Sequence, residues 1–466
     1  MITVSSPIAK SVERIREGEL DPRELVEFHL QRVQRLEGRV RAWAHVDARG
    51  AWRQAERASR RAREGRPLGG LHGIPLGIKD IIDVQGLPTG AGSRLREGRI
   101  ALHDAPLVGR LRRAGAIVLG KTVTTECACF DPPPTRNPWN LAHTPGGSSS
   151  GSAAAVAAGM CAAAVGTQTG GSIIRPASYC GVAGFKPTSG HVSLEGVLPV
   201  SPHLDHAGPI ARCVEDLALL YVSLSEPDRL DACLEDCRRH GQSLAGPESD
   251  RGRARGLWES WRSSAAGPPR LVVLDEFLRR AGVEVRDVTR GCVQRLEDAV
   301  QGDLALPEWF DEVYPHHRRI MARDVATYHG PAYAASPEAF GRSIAALIEE
   351  GHGVSPPQFA ASLAHQQECR QRMAEWLPPG TFALLPATNV PAPARLDTTG
   401  DPAFNSPWSY VGFPSLTLPC GLTGAGMPCG LQLIGPPESD LRLLQAAAWC
   451  EQRLAFDRLP AIVGEG

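Results

Sequence analysis

The sequence predicts an α/β fold built around a largely buried sheet in one large domain. Two observations support this. Short apolar runs separated by Gly and Pro alternate with stretches of helical spacing from residue 71 onward, and strand-like runs return near the end of the 466-residue chain. A chain of this length can bury a large core, and alternating strands and helices are typical of a sheet covered by helices. We expect the sheet to take strands from both ends of the chain.

The N-terminal segment, residues 1–65, is predicted to be helical. Val26, Leu30, Val33 and Leu36 recur near helical spacing, and Asp21-Pro22 provides a plausible N-cap and first helical residue. Strands are expected at 74–78, 116–119 and 182–185, with helices at 105–114 and 151–164 between them.

Beyond residue 220 the composition and the hydrophobic spacing change twice. Residues 237–270 are rich in Arg, Gly and Ser and predict a surface excursion before a strand at 271–274. Helical patterning then fills much of 285–376. Strand-like runs close the chain at 382–385, 415–418 and 430–434.

The composition indicates an ordinary globular protein, with 42% hydrophobic and 22% charged residues and a net charge of −1. Because no basic excess remains to neutralise phosphates, we expect no nucleic-acid partner. Charged residues interrupt the first 19 positions, and the most apolar run, 151–166, is too short to span a bilayer comfortably, so we expect neither a signal peptide nor a membrane. Twelve cysteines without zinc-type spacing predict reduced thiols, a cytoplasmic location, and no metal or other cofactor.

Lysine is scarce. It occurs only at positions 10, 79, 121 and 186, so 46 of the 50 basic residues are arginine. Arginine keeps its proton at any workable pH, whereas a buried lysine can lose it. The few lysines are therefore candidates for acid–base chemistry.

Two familiar motifs are interpreted as chance matches without the corresponding function. The stretch Gly115-Ala-Ile-Val-Leu-Gly-Lys-Thr122 fits the phosphate-binding pattern G-x4-G-K-[ST], but the four residues between its glycines read as a buried strand instead of a flexible loop. The stretch Gly147-Ser-Ser-Ser-Gly151 resembles a nucleophile elbow, yet turn-forming residues precede it where an elbow needs a strand.

A third pattern is more specific. Pro145-Gly-Gly-Ser148-Ser-Ser-Gly-Ser is followed by Gly166-Thr-Gln-Thr-Gly-Gly-Ser172-Ile-Ile-Arg-Pro. A Gly-Gly pair before a serine lets the backbone approach a ligand and aims successive N–H groups at one point. That arrangement suits an oxyanion hole, although either stretch alone is also typical of an ordinary turn.

Taken together, these motifs resemble the amidase signature family over nearly the whole chain. The resemblance includes Leu71-His-Gly-Ile-Pro-Leu-Gly-Ile-Lys79-Asp, both serine motifs, Gly184-Phe-Lys-Pro-Thr, Asp401-Pro-Ala-Phe-Asn405 and Gly430-Leu-Gln-Leu-Ile-Gly. It implies a single domain over residues 1–466 with a central mixed, twisted β-sheet covered by helices on both faces. It also implies a catalytic core at 66–220 and a variable helical region at 285–376 that shapes the substrate pocket.

The resemblance also implies the site residues. The family's nucleophile falls on Ser172, its bridging serine on Ser148 and its lysine on Lys79. The peptide bond between Gly147 and Ser148 is expected to be cis. Thr169, Gly170, Gly171 and Ser172 are the expected oxyanion hole, and Gly147 and Ser149 are expected to contact the substrate.

The chemistry is coherent from the residues themselves. A serine hydroxyl needs a positioned base to act as a nucleophile. Lys79 lies in an apolar setting, where burial disfavours the ammonium form. Neutral Lys79 could accept a proton from Ser148 while Ser148 accepts one from Ser172, and the reverse transfer would protonate the leaving nitrogen.

Three positions depart from the usual family pattern. Gln168 replaces an aspartate, Ile174 replaces an arginine, and an arginine appears one place later at Arg175. This variant resembles malonamidase-type members, in which an arginine after the nucleophile binds a substrate carboxylate. We hypothesise the same role for Arg175, with a purely structural arginine as the alternative. His316, His317 and His329 lie in the variable region, where residues often line the acyl pocket, although a solvated helix face is the default interpretation.

The sequence therefore predicts an amidase that hydrolyses small or medium acyl amides. Its expected partners are a small-molecule amide substrate and a second copy in a possible homodimer. Two alternatives remain. The same site could act on carbamates or esters, or the chain could be the A subunit of a tRNA-dependent amidotransferase.

Overall fold

An eleven-stranded mixed β-sheet forms the centre of the molecule. The computed structural model describes residues 2–242, 244, 250–264 and 267–464, without the side chains of 250–254. The strands are β1 (Trp43–Val46), β2 (Pro75–Lys79), β3 (Ile117–Thr122), β4 (Ala163–Gln168), β5 (Ala183–Lys186), β6 (His206–Ala211), β7 (Arg270–Val273), β8 (Val300–Asp303), β9 (Thr381–Pro386), β10 (Ser415–Leu422) and β11 (Pro428–Ile434). Their order across the sheet is β1-β3-β2-β4-β6-β5-β10-β11-β9-β7-β8.

The sheet combines parallel and antiparallel pairs. Strand β2 runs parallel to both β3 and β4, and β7 runs parallel to both β8 and β9. The pairs β4–β6, β5–β6, β5–β10 and β10–β11 are antiparallel. Because β2 and β4 are parallel neighbours, their carboxyl ends meet at one edge of the sheet, where Lys79 and Gln168 end the two strands.

Within the described ranges, sixteen α-helices surround this sheet. They are α1 (Ile8–Arg16), α2 (Pro22–Val40), α3 (Ala48–Arg63), α4 (Pro106–Arg113), α5 (Ser150–Ala157), α6 (Ile174–Tyr179), α7 (Val214–Leu224), α8 (Pro227–Arg239), α9 (Asp250–Ser263), α10 (Asp275–Arg280), α11 (Val283–Arg295), α12 (Val313–Ala335), α13 (Arg342–His352), α14 (Pro356–Trp376), α15 (Ser406–Tyr410) and α16 (Asp440–Leu454). Local signals explain some boundaries. Asp21 and Glu24 form a capping box at the start of α2, for example.

Alternation along the central strands places a hydrophobic core on each face of the sheet. In β3, Val118 joins one core cluster, whereas Ile117 and Leu119 join the other. In β4, Val165 and Ala164 divide between the two clusters in the same way. Successive strand side chains point to opposite faces, so helices cover both sides of the sheet. The predicted α/β fold is confirmed.

The strands expected at 74–78, 116–119, 182–185, 271–274, 382–385, 415–418 and 430–434 all appear as strands, within a residue or a few. Strands β1, β4, β6 and β8 were not expected. The helix expected at 151–164 ends earlier, at Ala157, and β4 begins at Ala163.

Two segments differ from the expectation. Within the surface excursion expected at 237–270, α9 packs against α7 and buries Trp258 and Trp261, so apolar contact gives this stretch regular structure. Residues 243, 245–249 and 265–266 of that excursion lie outside the described residues. The largely helical stretch 285–376 contains α11 to α14 but also β8, which pairs with β7.

Candidate active site

Lys79 and Ser148 meet at the carboxyl end of β2. The ammonium nitrogen Nζ of Lys79 donates to Ser148 Oγ and to Thr167 Oγ1, each at 2.7 Å. Thr167 lies in β4, the parallel neighbour of β2, so the two strands hold the contact rigidly. Lys79 is completely buried and Ser148 is 3% exposed.

Burial lowers the pKa of Lys79 to about 7, against an ordinary value of 10.5. The negative charge of Asp205 opposes this shift by favouring the ammonium form. Desolvation disfavours a charged amine unless an opposite charge offsets it. At Lys79 the effect of desolvation is larger than the attraction of nearby negative charge. A substantial fraction of Lys79 is therefore neutral near pH 7 and able to accept a proton.

Ser172 lies across a cavity from this pair. The cavity, of about 290 Å³, is lined by Ser148, Ser172, the loop residues Thr169, Gly170 and Gly171, and Arg175, among others. Ser172 is half-buried and follows the loop that connects β4 to α6. Among the described side-chain hydrogen bonds, none joins Ser172 Oγ to Ser148. Two of the three predicted catalytic residues, Ser148 and Ser172, thus line one cavity. Lys79 lies behind Ser148 and is joined to it by the hydrogen bond of 2.7 Å.

The peptide bond between Gly147 and Ser148 is cis, as the resemblance implies. Gly147 is packed tightly, since an added Cβ would lie 2.7 Å from Thr399 Cγ2. Ser149 is completely buried, and its hydroxyl exchanges hydrogen bonds with the backbone of Thr167 at 3.1 Å. Neither Gly147 nor Ser149 is among the described residues that line the cavity, so their expected contact with substrate stays a prediction.

Gln168 holds the loop that carries Ser172. Its Oε1 accepts from the backbone N–H groups of Ile173 at 2.8 Å and Ile174 at 3.0 Å. Its Nε2 donates to Ser409 Oγ at 3.0 Å, and that hydroxyl donates to Gly170 O at 2.7 Å. The residue that departs from the family's aspartate therefore satisfies the first N–H groups of α6 and ties down the loop. The sequence marked this position as unusual but did not reveal its role.

Arg175 is a buried cation in the cavity wall, 3% exposed. Its Nη2 donates to Gly147 O at 2.8 Å and to Thr399 Oγ1 at 3.3 Å. Its Nε and Nη1 are buried without a hydrogen-bond partner. Burial lowers the pKa of Arg175, while Tyr179 and Asp401 act in the opposite direction. An unpaired buried guanidinium is unfavourable, so this site is suited to an anionic or carbonyl oxygen from a ligand.

The three histidines of the variable region have different environments. His317, 6% exposed, lines the cavity and contacts Thr169 O through Nε2 at 3.0 Å. His329 is also buried but is not among the described cavity residues. His316 stacks on His365 with ring centroids 4.0 Å apart. The default interpretation, that these histidines lie on a solvated helix face, is therefore wrong for His317 and His329.

The remaining buried lysines have structural contacts. Lys121, the lysine of the phosphate-binding pattern, lies in β3 and donates to Asp80 Oδ1 at 3.0 Å and Pro88 O at 2.9 Å. Lys186 donates to Phe413 O at 2.5 Å. Strand β3 occupies the positions where a phosphate-binding loop would lie, which supports the interpretation that this pattern is a chance match.

One group outside the cavity offers metal-type ligands. Atoms of His191, Cys233 and Glu438 lie within 4.8 Å of one another. The Tyr221 hydroxyl, however, lies 2.8 Å from His191 Nδ1 and 3.3 Å from Cys233 Sγ. Burial also raises the pKa of Cys233 well above its ordinary value, so the thiol stays protonated. These contacts describe a hydrogen-bonded core cluster better than a metal site.

Comparison with known proteins identifies the family. The amidase family model matches residues 24–444. The chain belongs to the amidase signature family. Its members act on carbon–nitrogen bonds, and the site described above lies within the matched region.

Curated relatives align with almost the whole of this chain. The A subunit of the glutamyl-tRNA(Gln) amidotransferase of Anaeromyxobacter dehalogenans is 34% identical, with 92% of each chain aligned. The protein of the same name from Myxococcus xanthus is 33% identical over 96% of this chain and 97% of its own length.

Solved structures show the same fold. The peptide amidase of Stenotrophomonas maltophilia superposes with a TM-score of 0.81 at 30% identity, covering 98% of this chain and 99% of its own. A chain from a vestigial protein complex linked to an s-triazine catabolic enzyme superposes with a TM-score of 0.85 at 28% identity, covering 97% of this chain and all of its own.

These relatives correct one prediction. We expected a small-molecule amide substrate, a possible homodimer and no nucleic-acid partner. The curated relatives are subunits of an enzyme named for a charged tRNA, so the expectation of no nucleic-acid partner is wrong. Its physical basis was weak because the net charge of −1 averages the whole chain. An average describes neither a local surface nor a second subunit that binds the nucleic acid. As for membranes, no helix among the described residues has the length and apolar character to cross a bilayer.

Proposed function

We propose that this amidase hydrolyses the C–N bond of a small carboxamide through an acyl-enzyme on Ser172. The observation that carries the proposal is the Lys79–Ser148 hydrogen bond of 2.7 Å on the wall of the cavity that Ser172 also lines. A lysine whose pKa is lowered to about 7 by burial is a usable general base at neutral pH. Structural lysines such as Lys121 bond to a carboxylate and a carbonyl instead.

In the proposed first half-reaction, Ser172 Oγ attacks the amide carbon and transfers its proton to Ser148, whose own proton passes to neutral Lys79. A tetrahedral oxyanion forms. As it collapses, the C–N bond breaks and the proton returns through Ser148 to the leaving nitrogen, which departs as ammonia or an amine. Water then attacks the acyl-enzyme by the same relay, releasing the acid and restoring Ser172.

Backbone N–H groups of the loop from Thr169 to Ser172 would stabilise the oxyanion. Gly171 leaves no room for a side chain, because an added Cβ would lie 2.5 Å from Asn405 Oδ1. The glycine therefore lets the loop backbone pack directly against Asn405, which fixes its position. One preorganised donor of this kind contributes on the order of 100-fold or more in rate.

The acyl side of the proposed substrate carries a carboxylate or another oxygen that meets Arg175. The free Nε and Nη1 of that guanidinium are the unpaired donors in the described cavity wall that best match such a group. The interaction resembles the malonamidase-type recognition that the motif suggests. It would also suit a substrate such as glutamine, which has a carboxylate at one end and a carboxamide at the other.

For the biological setting we propose the A subunit of a tRNA-dependent amidotransferase. Identities of 32–34% over more than nine-tenths of each chain support this over a free-standing amidase. In that setting the site releases ammonia from a carboxamide for use on a tRNA bound with other subunits. The twelve free cysteines are consistent with a reducing, cytoplasmic location, which we include in the proposal.

A second candidate is a free-standing hydrolase of small amides, carbamates or esters. The observation that favours it is the Gln168/Arg175 arrangement, which departs from the usual family pattern and builds a buried cation into the cavity. The peptide amidase neighbour shows that this fold also serves an enzyme named for a peptide substrate.

The proposal is tested in two steps. Intact-mass analysis after treatment with a fluorophosphonate should show one adduct on the wild type and none on Ser172→Ala. An unmodified wild type, or equal labelling of both, would overturn the nucleophile assignment.

The second step distinguishes the amidotransferase subunit from the free-standing hydrolase. It measures ammonia release from glutamine, from the half-amide of a dicarboxylic acid and from a neutral amide. Preference for glutamine favours the amidotransferase setting, whereas equal or better turnover of the other two favours the free-standing hydrolase.

A further inference from the structure

Thr169, the first residue of the loop that precedes Ser172, is held from two sides. Its hydroxyl Oγ1 donates to Asp205 Oδ1 at 2.5 Å. Its carbonyl oxygen lies 3.0 Å from Nε2 of His317. One contact comes from the segment just before β6 and the other from α12, so two separate parts of the fold fix one residue of the loop.

Asp205 is itself fixed by backbone donors. Its Oδ2 accepts from the N–H groups of Val200 at 2.9 Å and Ser201 at 3.0 Å. The strand that follows it, β6, pairs with β4 through His206 and Gln168. The carboxylate therefore cannot shift relative to the start of the loop without breaking several hydrogen bonds.

His317 can only donate to Thr169. The acceptor is a carbonyl oxygen, so the proton of the neutral imidazole must lie on Nε2. Burial lowers the pKa of His317 to about 4, and the ring is neutral at physiological pH. His317 thus acts as a fixed hydrogen-bond donor and not as a proton carrier.

We propose that Asp205 and His317 are positioning residues that clamp Thr169 and thereby aim the backbone N–H groups of the loop at the reacting carbonyl. This inference rests on the proposed function of that loop as the oxyanion hole. Removing either contact lets the first residue of the loop rotate, and misplaced donors lose their advantage over water because the gain of an oxyanion hole depends on preorganisation. The clamp also places a carboxylate in the electrostatic environment of Lys79.

The Asp205 carboxylate also changes the pKa of Lys79 in a defined direction. The negative charge of Asp205 favours the ammonium form of Lys79 and so raises the pKa of Lys79 above the value that burial alone would give. Burial raises the pKa of Asp205 itself to about 6, which still leaves its carboxylate mostly ionised at pH 7. The Cys129 thiol also faces Lys79, but burial raises its pKa well above the ordinary value and it stays uncharged. Burial lowers the pKa of His206, beside Gln168, and keeps that ring neutral.

The chain allows these effects to be separated. Asp205→Asn removes the charge but keeps the clamp, because the amide oxygen can still accept from Val200 and Ser201 while its nitrogen donates to the Thr169 hydroxyl. Thr169→Val removes the hydroxyl contact of the clamp and keeps the Asp205 charge, while the contact of His317 with the carbonyl of residue 169 remains. His317→Gln keeps a donor near the carbonyl, whereas His317→Leu removes it.

The experiment is the rate of Ser172 labelling by a fluorophosphonate, followed by intact mass as a function of pH. We expect Thr169→Val and His317→Leu to label about 10- to 100-fold more slowly with the pH profile unmoved, and His317→Gln to recover most of the loss. We expect Asp205→Asn to move the acid limb of the profile to lower pH by about 1 unit.

Two control variants show what loss of a buried group does by itself. Asp216→Asn changes a buried carboxylate of α7 that accepts from Ile8 N and does not line the described cavity. His329→Leu changes a buried histidine of the same helix as His317, α12. Both should label at the wild-type rate.

Labelling of Thr169→Val and His317→Leu at the wild-type rate would overturn the clamp, and an unmoved acid limb in Asp205→Asn would overturn the electrostatic part. A wild type that does not label overturns the proposed function instead. Thermal unfolding of each variant identifies a folding defect, and His317→Gln against His317→Leu still decides the question if Asp205→Asn does not fold.

Discussion

Arg175 Nη2 donates a hydrogen bond of 2.8 Å to the carbonyl oxygen of Gly147, the residue whose peptide bond with Ser148 is cis. The arginine therefore supports the bridging serine with one nitrogen while two others, Nε and Nη1, are left unpaired in the cavity wall. A structural role and a recognition role are both compatible with this geometry, and they predict different kinetics.

If Arg175 binds a substrate carboxylate, Arg175→Gln should raise KM for an acidic amide and change KM for a neutral amide little. A charge-assisted hydrogen bond contributes about 1.5–3 kcal/mol, so about a 10- to 100-fold increase in KM is expected. A variant that lowers kcat equally for both substrates, with KM unchanged, would show that Arg175 only supports the Gly147–Ser148 backbone. The neutral amide is the internal control.

Lys79 predicts a pH dependence of both rate and stability. The proposed base must be neutral, so kcat/KM should fall as the pH decreases through about 7. For stability, the folded-state pKa is lowered from 10.5 to about 7, and between these values the unfolded chain binds more protons than the folded chain. The free energy of unfolding should therefore rise with pH across this window.

In Lys79→Met this contribution is absent. Near pH 7 the burial of a lysine costs on the order of 4 kcal/mol, offset in part by its bonds to Ser148 and Thr167. We expect the variant to be inactive but more stable than the wild type near neutral pH, with the difference shrinking as the pH rises toward 10.5. Urea unfolding at neutral and alkaline pH measures it, with exposed Lys10→Met as the control. A stability difference that does not change with pH would contradict the lowered pKa.

The sequence predicted the strands with apolar, β-branched runs, such as β2 and β3, because burial on both faces leaves that signature. It missed β4, which is Ala-rich and begins inside the stretch expected to be helical, and β6, which contains Gly208 and Pro209. Neither has strong strand propensity. The two strands pair with each other, so tertiary context determines their conformation.

The candidate site divides in the same way. Lys79, Ser148 and Ser172 could be proposed from the sequence because they stand in ordered motifs. Asp205 and His317 were not assigned to the loop, because 36 and 148 residues separate them from Thr169 and only the fold brings them there. No local pattern encodes such contacts.

The hydrogen bonds of Gln168 connect the start of α6 to the loop that precedes Ser172, so we expect substitutions of Gln168 to change stability. Gln168→Glu keeps the acceptor for the N–H groups of Ile173 and Ile174 but removes the Nε2 donor to Ser409, whereas Gln168→Ala removes both. A buried N–H left unsatisfied costs about 1–3 kcal/mol, so the alanine variant should lose more stability than the glutamate variant. Thermal unfolding compares them. Equal losses would mean that the acceptor contacts contribute nothing.

Gly171 and Gly170 provide a matched pair for the loop itself. An alanine at 171 would place its Cβ 2.5 Å from Asn405 Oδ1, whereas at 170 the nearest atom, Pro402 Cβ, is 3.6 Å away in ordinary contact. Asn405 cannot retreat easily, because its Nδ2 donates to Ala387 O at 2.9 Å and Gln432 Oε1 at 2.6 Å.

We therefore expect Gly171→Ala to displace the loop backbone, with a loss of about 1–3 kcal/mol in stability from overpacking. Its kcat should fall by about 100-fold or more, since the displaced N–H groups no longer point at the oxyanion. Gly170→Ala should show a clearly smaller loss in both measurements. Steady-state kinetics and thermal unfolding of the two variants test this. If Gly171→Ala retained wild-type kcat, the loop from Thr169 to Ser172 could not be the oxyanion hole, because its donors would have moved without effect.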